Sequence, residues 1–153
     1  MTKKMKRVLS VAAAAVVCLL LVSVVAVAGD DVPVNVSQLP AAAQNTLLTH
    51  FGSKEVVVAT KDNDLFDKSY EVLFSDGDKV EFDGKGDWTE IKCRQGAVPA
   101  ALIPQQIAAY VQDNYSGAAI VEIEKDSKEY EVKLSNGIEL TFNKQFRLTE
   151  VDF

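Results

Sequence analysis

Apolar and polar residues alternate through most of the chain, and the same alternating pattern occurs twice. The stretch YEVLFSDGDKVEFDGKGDWTEI (70–91) aligns without a gap with YEVKLSNGIELTFNKQFRLTEV (130–151), and eight of the 22 positions are identical. Alternation with a period of two is typical of strands that have one buried face. The pattern therefore predicts the same set of strands in each half of the chain.

Each copy has a Ser-Asp-Gly or Ser-Asn-Gly sequence between two alternating runs. Three-residue loops of this kind form a type I turn followed by a residue in the left-handed region. Gly77 and Gly137 adopt that conformation without a steric cost, because glycine has no Cβ. The resulting register predicts these cross-strand pairs: Tyr70 with Phe82, Val72 with Val80 and Phe74 with Asp78, then Tyr130 with Phe142, Val132 with Leu140 and Leu134 with Ile138.

One face of each hairpin is therefore predicted to belong to the core, because every pair except the one that ends at Asp78 is apolar. The opposite face is charged, and we expect it to lie open to water. It carries Glu71, Leu73, Lys79 and Glu81 in the first copy, and Glu131, Lys133, Glu139 and Thr141 in the second.

A short helix is predicted ahead of the strands in each copy. The two upstream segments align at a shift of 64 residues, and each has apolar residues spaced i, i+4 and i+8, which places them on one helix face. These residues are Ala43, Leu47 and Phe51 in the first copy, and Ile107, Val111 and Tyr115 in the second. Ser37 is expected to cap the first helix, and Pro104 suits the first turn of the second. Gly52 and Gly117 are expected to end the two helices.

The predicted fold is α+β, with two tandem helix-plus-strand repeats whose helices pack on one face of an antiparallel sheet and leave the other face open. The first repeat spans residues 37–93, the second spans residues 103–153, and residues 94–102 link them. Residues 29–36 form an N-terminal extension. A closing strand, WTEIKC or LTEVDF, ends each repeat. The side to which Trp88 points is open at this stage, because the preceding DGKGD turn is compatible with more than one register.

Residues 1–28 have the features of a secretory signal peptide. A basic start, MTKKMKR, precedes the apolar run VLSVAAAAVVCLLLVSVVAVA, and small residues at Ala26 and Ala28 predict cleavage before Gly29. The apolar run is also long enough to span a membrane, so a retained anchor is the alternative. A retained anchor of this kind is the only membrane attachment that we expect. The predicted location is periplasmic or secreted.

The remainder of the chain is strongly acidic. It holds all 22 Asp and Glu residues but only 12 of the 16 Lys and Arg residues, which gives a net charge of about −10. Such a chain repels nucleic acid and anionic membranes, and it suits a cation or a basic partner. Cys93 is the one cysteine after the signal peptide, so no internal disulfide supports the fold. We expect a small, partly buried apolar residue there, with intermolecular pairing as the alternative.

These motifs resemble those of the PepSY-like family of bacterial periplasmic proteins. The shared features are an LP that opens a short helix, an aromatic residue that ends it, and then YEV, NG and TEV in the strands. The resemblance covers the chain after the signal peptide as two tandem copies, and it is closest to Bacteroides-type proteins of unknown function described as calcium-regulated or inhibitor-like. It implies a fold like that of the β-lactamase inhibitor protein. It also implies protein binding without catalysis, and it supplies no catalytic residue.

Catalysis and a transition-metal site are both poorly supported by the sequence. His50 is the single histidine, and no nucleophile motif frames either His50 or Cys93. One histidine and one cysteine far apart in the chain cannot complete a four-ligand zinc site. We therefore predict a protein that is not an enzyme and that has no cofactor apart from a candidate calcium ion.

The candidate calcium site is the loop KDNDLFDKS, which is four residues longer than its counterpart in the second copy. It places Asp62, Asp64 and Asp67 within six residues, and Ca²⁺ binds six to eight oxygen ligands that such carboxylates can supply. The loop does not match an EF-hand, because Phe66 and Asp67 stand where that motif needs a ligand and a glycine. A solvated loop between strands is the simpler alternative.

Candidate partner-binding residues lie on the same loop and on the charged face. Phe66 is at the predicted loop tip, where an exposed aromatic side chain indicates contact with a partner. Trp88 is a second aromatic candidate, and Glu71 and Glu81 belong to a charged face that suits a basic partner. Packing is the alternative role of each aromatic. The sequence favours an exported, non-catalytic protein-binding module, an inhibitor or regulator of another periplasmic protein, over a calcium-regulated protein.

Overall fold

The computed structural model describes residues 31–63 and 67–153. Within these ranges the chain forms two α-helices and nine strands. The helices are α1 (Ala41–Phe51) and α2 (Gln105–Asn114). The strands are β1 (Val32–Pro33), β2 (Val56–Asn63), β3 (Lys68–Phe74), β4 (Lys79–Asp83), β5 (Trp88–Lys92), β6 (Ile120–Lys125), β7 (Glu129–Leu134), β8 (Glu139–Asn143) and β9 (Leu148–Asp152). The predicted signal peptide and its cleavage site lie outside the described residues.

All nine strands form one antiparallel sheet, and their order in the sheet is their order in the chain. Each half has one helix followed by four strands, β2 to β5 and then β6 to β9. The last strand of the first half, β5, pairs directly with the first strand of the second half, β6. The sheet is open rather than closed, with β1 and β9 as its two edges.

The predicted hairpin registers are confirmed in both halves. Strand β3 pairs with β4, and β7 with β8, in the predicted alignment. Gly77 and Gly137 have φ angles of 87° and 90°, which is the left-handed conformation that their turns require. The pairing of β4 with β5 and that of β8 with β9 each contain a register shift, after Glu81 and after Thr141. The two halves thus share even their strand irregularities.

Both helices pack on one face of the sheet, as predicted for the α+β fold. The buried side of each helix joins a single apolar cluster with alternate residues of the strands. Phe51 of α1 stacks on Phe74 of β3 with ring centroids 5.4 Å apart, and Tyr110 of α2 meets the edge of Phe142 of β8 at 5.3 Å. Each large apolar side chain buried in this way contributes about 1.5–3 kcal/mol to folding. The other face of the sheet carries the charged residues.

The helix ends differ in detail from the prediction. Ser37 does not cap α1: it lies in a 3₁₀ turn, Val36–Gln38, and Pro40 is the residue before the first helical position. The chain makes this extra turn because the Gln38 side-chain oxygen accepts a hydrogen bond from the N–H of Asn35, at 2.8 Å. Pro40, with its φ fixed near the helical value, then starts the helix.

Pro104 and Tyr115, at the two boundaries of α2, also differ from the prediction. Pro104 precedes the first turn of α2 rather than lying in it, and Tyr115 has left the helix with φ −133°. Gly52 ends α1 with a helical φ of −61°, whereas Gly117 follows α2 with φ +89°. Only the second glycine therefore uses the conformational freedom that glycine provides.

Candidate binding face of the sheet

A row of glutamates crosses the open face of the sheet. Five consecutive strands, β3 to β7, each place one glutamate directly opposite that of the next strand. The row consists of Glu71, Glu81, Glu90, Glu124 and Glu131. Residues directly opposite on neighbouring antiparallel strands have Cβ atoms about 4.5–5.5 Å apart, and like charges in such pairs are destabilising. The row is therefore a concentrated band of negative charge that the fold holds in place against its own repulsion.

Lys79 neutralises one end of this row. Its Nζ atom lies 2.6 Å from Glu81 Oε1, 3.0 Å from Glu90 Oε2 and 3.7 Å from Glu71 Oε2. Burial favours the neutral amine of Lys79, but the hydrogen bonds and charges of Glu81 and Glu90 outweigh burial and raise its pKa well above the usual range. Lys79 is therefore fully charged at neutral pH, and it allows Glu90 to be almost completely buried.

A second row on the same face mixes both signs of charge. Lys92 of β5 pairs with Glu122 of β6 at 3.0 Å, and Lys133 of β7 pairs with Glu139 of β8 at 2.8 Å. The hydrogen bond from Lys133 to Glu139 raises the pKa of that lysine. The row ends at Asp152 of β9, opposite Glu139. Carboxylates outnumber ammonium groups over the two rows together, so the open face carries a net negative charge.

Two of the predicted partner-binding residues, Glu71 and Glu81, lie side by side on this face. Trp88 does not join them. It pairs with the fully buried Phe82 beyond the register shift, packs partly against the core, and has the Nζ atom of Lys125 3.9 Å from its ring centroid. Burial lowers the pKa of Lys125. Trp88 is thus engaged within the protein, and Phe66 lies outside the described residues.

The candidate calcium ligands are only partly described. Asp62 is half-buried near the end of β2, opposite Ser69, and Asp67 is exposed just before β3. Asp64 lies outside the described residues. Within residues 31–63 and 67–153, no three His, Cys, Asp or Glu side chains are grouped so that they could hold a metal ion.

A buried polar cluster near the β3–β4 turn was not predicted. Asp78 is almost fully buried, and its carboxylate accepts hydrogen bonds from Lys54 Nζ at 2.6 Å and from the N–H of Arg94 at 2.7 Å. Lys54 also pairs with Asp76. Burial opposes the charge of Lys54, but its bonds to Asp76 and Asp78 prevail and raise its pKa. The sequence feature that could have indicated this cluster is Asp78 itself, a polar residue at a core position where the second copy has Ile138.

Cys93 borders the same cluster and is buried, as expected for an apolar packing residue. Burial, together with the nearby charge of Asp78, raises the pKa of the Cys93 thiol to about 12. A thiol in this state is almost entirely protonated at neutral pH and is a poor nucleophile. His50 is half-buried near the end of α1, whereas the groups that act on the Cys93 thiol are Asp78, Lys54 and Asp76.

Comparison with known proteins places this architecture in a family. The family described as candidate β-lactamase-inhibitor-like, PepSY-like proteins matches residues 68–150. The chain belongs to the PepSY-like family. The resemblance that the sequence motifs indicated is therefore confirmed, and so is the predicted α+β fold with its open sheet.

Three solved structures are similar to this PepSY-like protein over nearly their whole length. A periplasmic protein from Bacteroides vulgatus, from a domain family of unknown function, is 49% identical, with 82% of this chain and 99% of that one covered and a TM-score of 0.81. A candidate calcium-regulated periplasmic protein from Bacteroides thetaiotaomicron is 47% identical, with coverages of 81% and 98% and a TM-score of 0.79. A periplasmic protein of unknown function from Bacteroides vulgatus is 38% identical, with coverages of 80% and 99% and a TM-score of 0.76.

Two negative results accompany these matches. None of the curated proteins compared with this PepSY-like chain matches it. Among the helices within residues 31–63 and 67–153, none has the length and apolar character needed to span a membrane.

Proposed function

We propose that this PepSY-like protein is an exported, non-catalytic binding module that inhibits or regulates another periplasmic protein through the open face of its sheet. The observation that carries the proposal is the row of opposed glutamates from Glu71 to Glu131. The inhibitor-like character of the family and the periplasmic description of its structural neighbours support it.

The glutamate row defines the chemistry of the partner. Opposed carboxylates on adjacent strands repel one another, Lys79 lies within 4 Å of Glu71, Glu81 and Glu90, and carboxylates outnumber ammonium groups over the two rows of the open face. A partner that brings Lys or Arg side chains to the face is attracted by this net negative charge. The partner is therefore a protein with a basic surface patch, and complex formation weakens as the salt concentration rises.

The geometry of the sheet suits occlusion rather than catalysis. The face is an extended surface held by nine hydrogen-bonded strands, and it presents more carboxylates than lysines. A broad, rigid surface of this kind covers a partner's site without reorganising itself, which favours binding. We therefore expect the module to block access to a basic region of its partner.

The test is capture of a partner by the mature protein, residues 29–153, from periplasmic extract, followed by binding measurements with the purified partner. The face variant Glu71→Gln, Glu81→Gln removes two charges from the row. A matched control, Glu55→Gln, Asp113→Asn, removes two charges at exposed positions elsewhere. We expect wild type and control to bind a basic protein with equal affinity, and the face variant to bind at least tenfold more weakly. Equal binding by all three proteins would exclude the open face.

A second candidate function is regulation by calcium through Asp62, Asp64 and Asp67. It is favoured by the solved structure that is 47% identical and is named as a candidate calcium-regulated protein. A ligand that binds the folded state raises the melting temperature. We expect millimolar calcium to raise the melting temperature relative to chelator, and Asp62→Asn, Asp67→Asn to abolish the shift. An unchanged melting temperature in the wild type would remove this candidate.

A further inference from the structure

Strand β9 is an open edge of the sheet. Among residues 31–63 and 67–153, no strand pairs with the outer side of β9, whereas its inner side pairs with β8. The opposite edge differs, because its strand β1 has only two residues, Val32 and Pro33, and proline has no N–H to donate. An uncovered edge strand presents free backbone N–H and C=O groups to which another strand can bond.

The first half of the protein shows how such an edge is filled. Strand β5 is the counterpart of β9, and β6 pairs with it so that Ile91 lies opposite Ile123. The N–H of Cys93 donates to the carbonyl of Val121 at 2.8 Å. Because hydrogen-bonding residues alternate along a strand, Ile91 also directs its backbone groups towards β6. Val151 is the counterpart of Ile91, and it therefore directs its backbone N–H and C=O groups towards solvent.

The side chains of β9 determine which strand fits there. Glu150 continues the row of the open face beyond Thr141, and Asp152 lies opposite Glu139. Asp152 stands where β5 has Lys92, which pairs with Glu122 of β6. The β5 edge thus suits an acidic neighbour at that position, whereas the β9 edge suits a basic one. A second copy of β9 would instead oppose acidic residues to acidic residues, which disfavours a dimer through this edge.

We propose that the outer edge of β9 receives an extended segment of a basic protein partner, which adds a tenth strand to the sheet. The segment carries Lys or Arg opposite Glu150 and Asp152 and an apolar residue opposite the half-buried Val151. Main-chain hydrogen bonds supply affinity in this mode of recognition, and alternate side chains supply selectivity. Phe153, which is 97% exposed at the end of β9, offers an additional apolar contact. The proposal goes beyond the face contact, because it names an edge and a peptide conformation.

The experiment uses the protein of residues 29–153 and a peptide derived from β6. The peptide has the sequence of residues 118–125 with Glu122→Lys and Glu124→Lys, labelled for fluorescence anisotropy. The natural sequence of 118–125 and a scrambled peptide with the same charges serve as controls. We expect the lysine peptide to bind at least tenfold more tightly than either control, and to slow hydrogen exchange at the amides of Val151 and Phe153.

Two protein variants separate strand pairing from general attraction between charges. Val151→Pro removes the solvent-directed N–H of β9 and keeps every charge, and proline is tolerated where an edge strand faces solvent. Glu150→Gln, Asp152→Asn keeps the backbone and removes the charges. We expect each variant to weaken binding at least tenfold, with the fold of each checked by circular dichroism.

Equal binding of the lysine peptide and the scrambled peptide would overturn the proposal, and so would unchanged peptide binding by both protein variants. A concentration-dependent dimer that Val151→Pro dissociates would also overturn it, because a second copy of the chain would then occupy the edge. The open-face variant Glu71→Gln, Glu81→Gln is expected to retain peptide binding. If the lysine peptide does not bind, the proposal for the open face is unaffected. If the face variant binds the basic partner as tightly as wild type does, the proposal for the β9 edge is unaffected.

Discussion

The ammonium group of Lys54 lies 2.6 Å from the carboxylate of Asp78, and this contact joins the loop after α1 to the start of β4. The same carboxylate accepts the N–H of Arg94 after β5, at 2.7 Å. One almost fully buried side chain thus holds together three segments that are distant in sequence. Its loss leaves the N–H of Arg94 without its acceptor and removes one of the two carboxylate partners of the partly buried Lys54 ammonium group, which is more damaging than the loss of one average hydrogen bond.

We expect Asp78→Ala to lower the free energy of unfolding by about 2–3 kcal/mol, because it removes both the ion pair to Lys54, which keeps only Asp76, and the hydrogen bond from the N–H of Arg94. The double variant Lys54→Ala, Asp78→Ile installs the residues that the second half has at these positions, Ala118 and Ile138. It should recover part of the loss, since no partly buried ammonium group remains that has lost a carboxylate partner. Urea denaturation of the three proteins measures both effects. A double variant less stable than Asp78→Ala would contradict the role given to this pair.

Lys79→Met should destabilise the protein by about 1–2 kcal/mol at pH 7, because Glu81 and Glu90 then oppose each other without a cation. Interaction with these carboxylates raises the pKa of Lys79. The stability it contributes is therefore fully present below pH 10.5, its ordinary pKa, and is lost as the pH rises through the higher pKa of the folded state. The difference between wild type and variant should stay constant from pH 6 to about 9 and narrow only in strong alkali.

Lys133→Met is the control for this prediction. Lys133 and Glu139 form a single, more exposed ion pair, and such pairs contribute about 0–1 kcal/mol. Denaturation at several pH values and salt concentrations checks both variants. A larger loss in Lys133→Met than in Lys79→Met would show that the glutamate row is not held by Lys79.

Phe146 lies in the left-handed region, with φ 58°, in the turn between β8 and β9. The first half has Gly86 there, with φ 92°. This conformation costs a residue with a side chain roughly 1–2 kcal/mol, which the contact of the Phe146 ring with Tyr130, at 5.4 Å between centroids, helps to offset. We expect Phe146→Gly to be more stable than Phe146→Ala by about 1 kcal/mol, since both lose the ring and only alanine keeps the strain.

The neighbouring residue Gln145 provides the comparison, because its φ is not positive. Gln145→Gly should be no more stable than Gln145→Ala, because glycine at this position only adds conformational freedom to the unfolded chain. Thermal or urea denaturation of the four variants suffices. If alanine is the better residue at both positions, Phe146 is not strained.

Cys93 should resist alkylation in the folded protein. Burial raises the pKa of its thiol to about 12, and the thiolate is the reactive form. We expect labelling by a thiol reagent at pH 8 to be at least tenfold slower in the native protein than in denaturant. Asp78→Ala should speed native labelling, because it loosens the packing around the thiol and removes a nearby negative charge. Rapid labelling of the native wild type would contradict the burial of Cys93.

The sequence by itself determined the local structure of each half. Alternation identified the strands, and the glycine of each Ser-Asp-Gly or Ser-Asn-Gly turn set the register of β3 with β4 and of β7 with β8, because a short turn leaves one alignment of its flanking strands. It also indicated Glu71 and Glu81 as neighbours. It misplaced the cap of α1 at Ser37, because the capping box that Asn35 and Gln38 form belongs to a separate 3₁₀ turn ahead of the helix.

Only the tertiary structure decided how the two halves join. Strands β5 and β6 are separated by residues 93–119, which include α2, so no turn fixes their alignment. The packing of both helices into one core brings these strands together, and their register then places Glu90 opposite Glu124. That pairing extends two local glutamate pairs into one row, and it leaves β9 as one of the two edges of the sheet. The binding surfaces proposed for this protein therefore arise from contacts between residues distant in sequence, which local patterns do not specify.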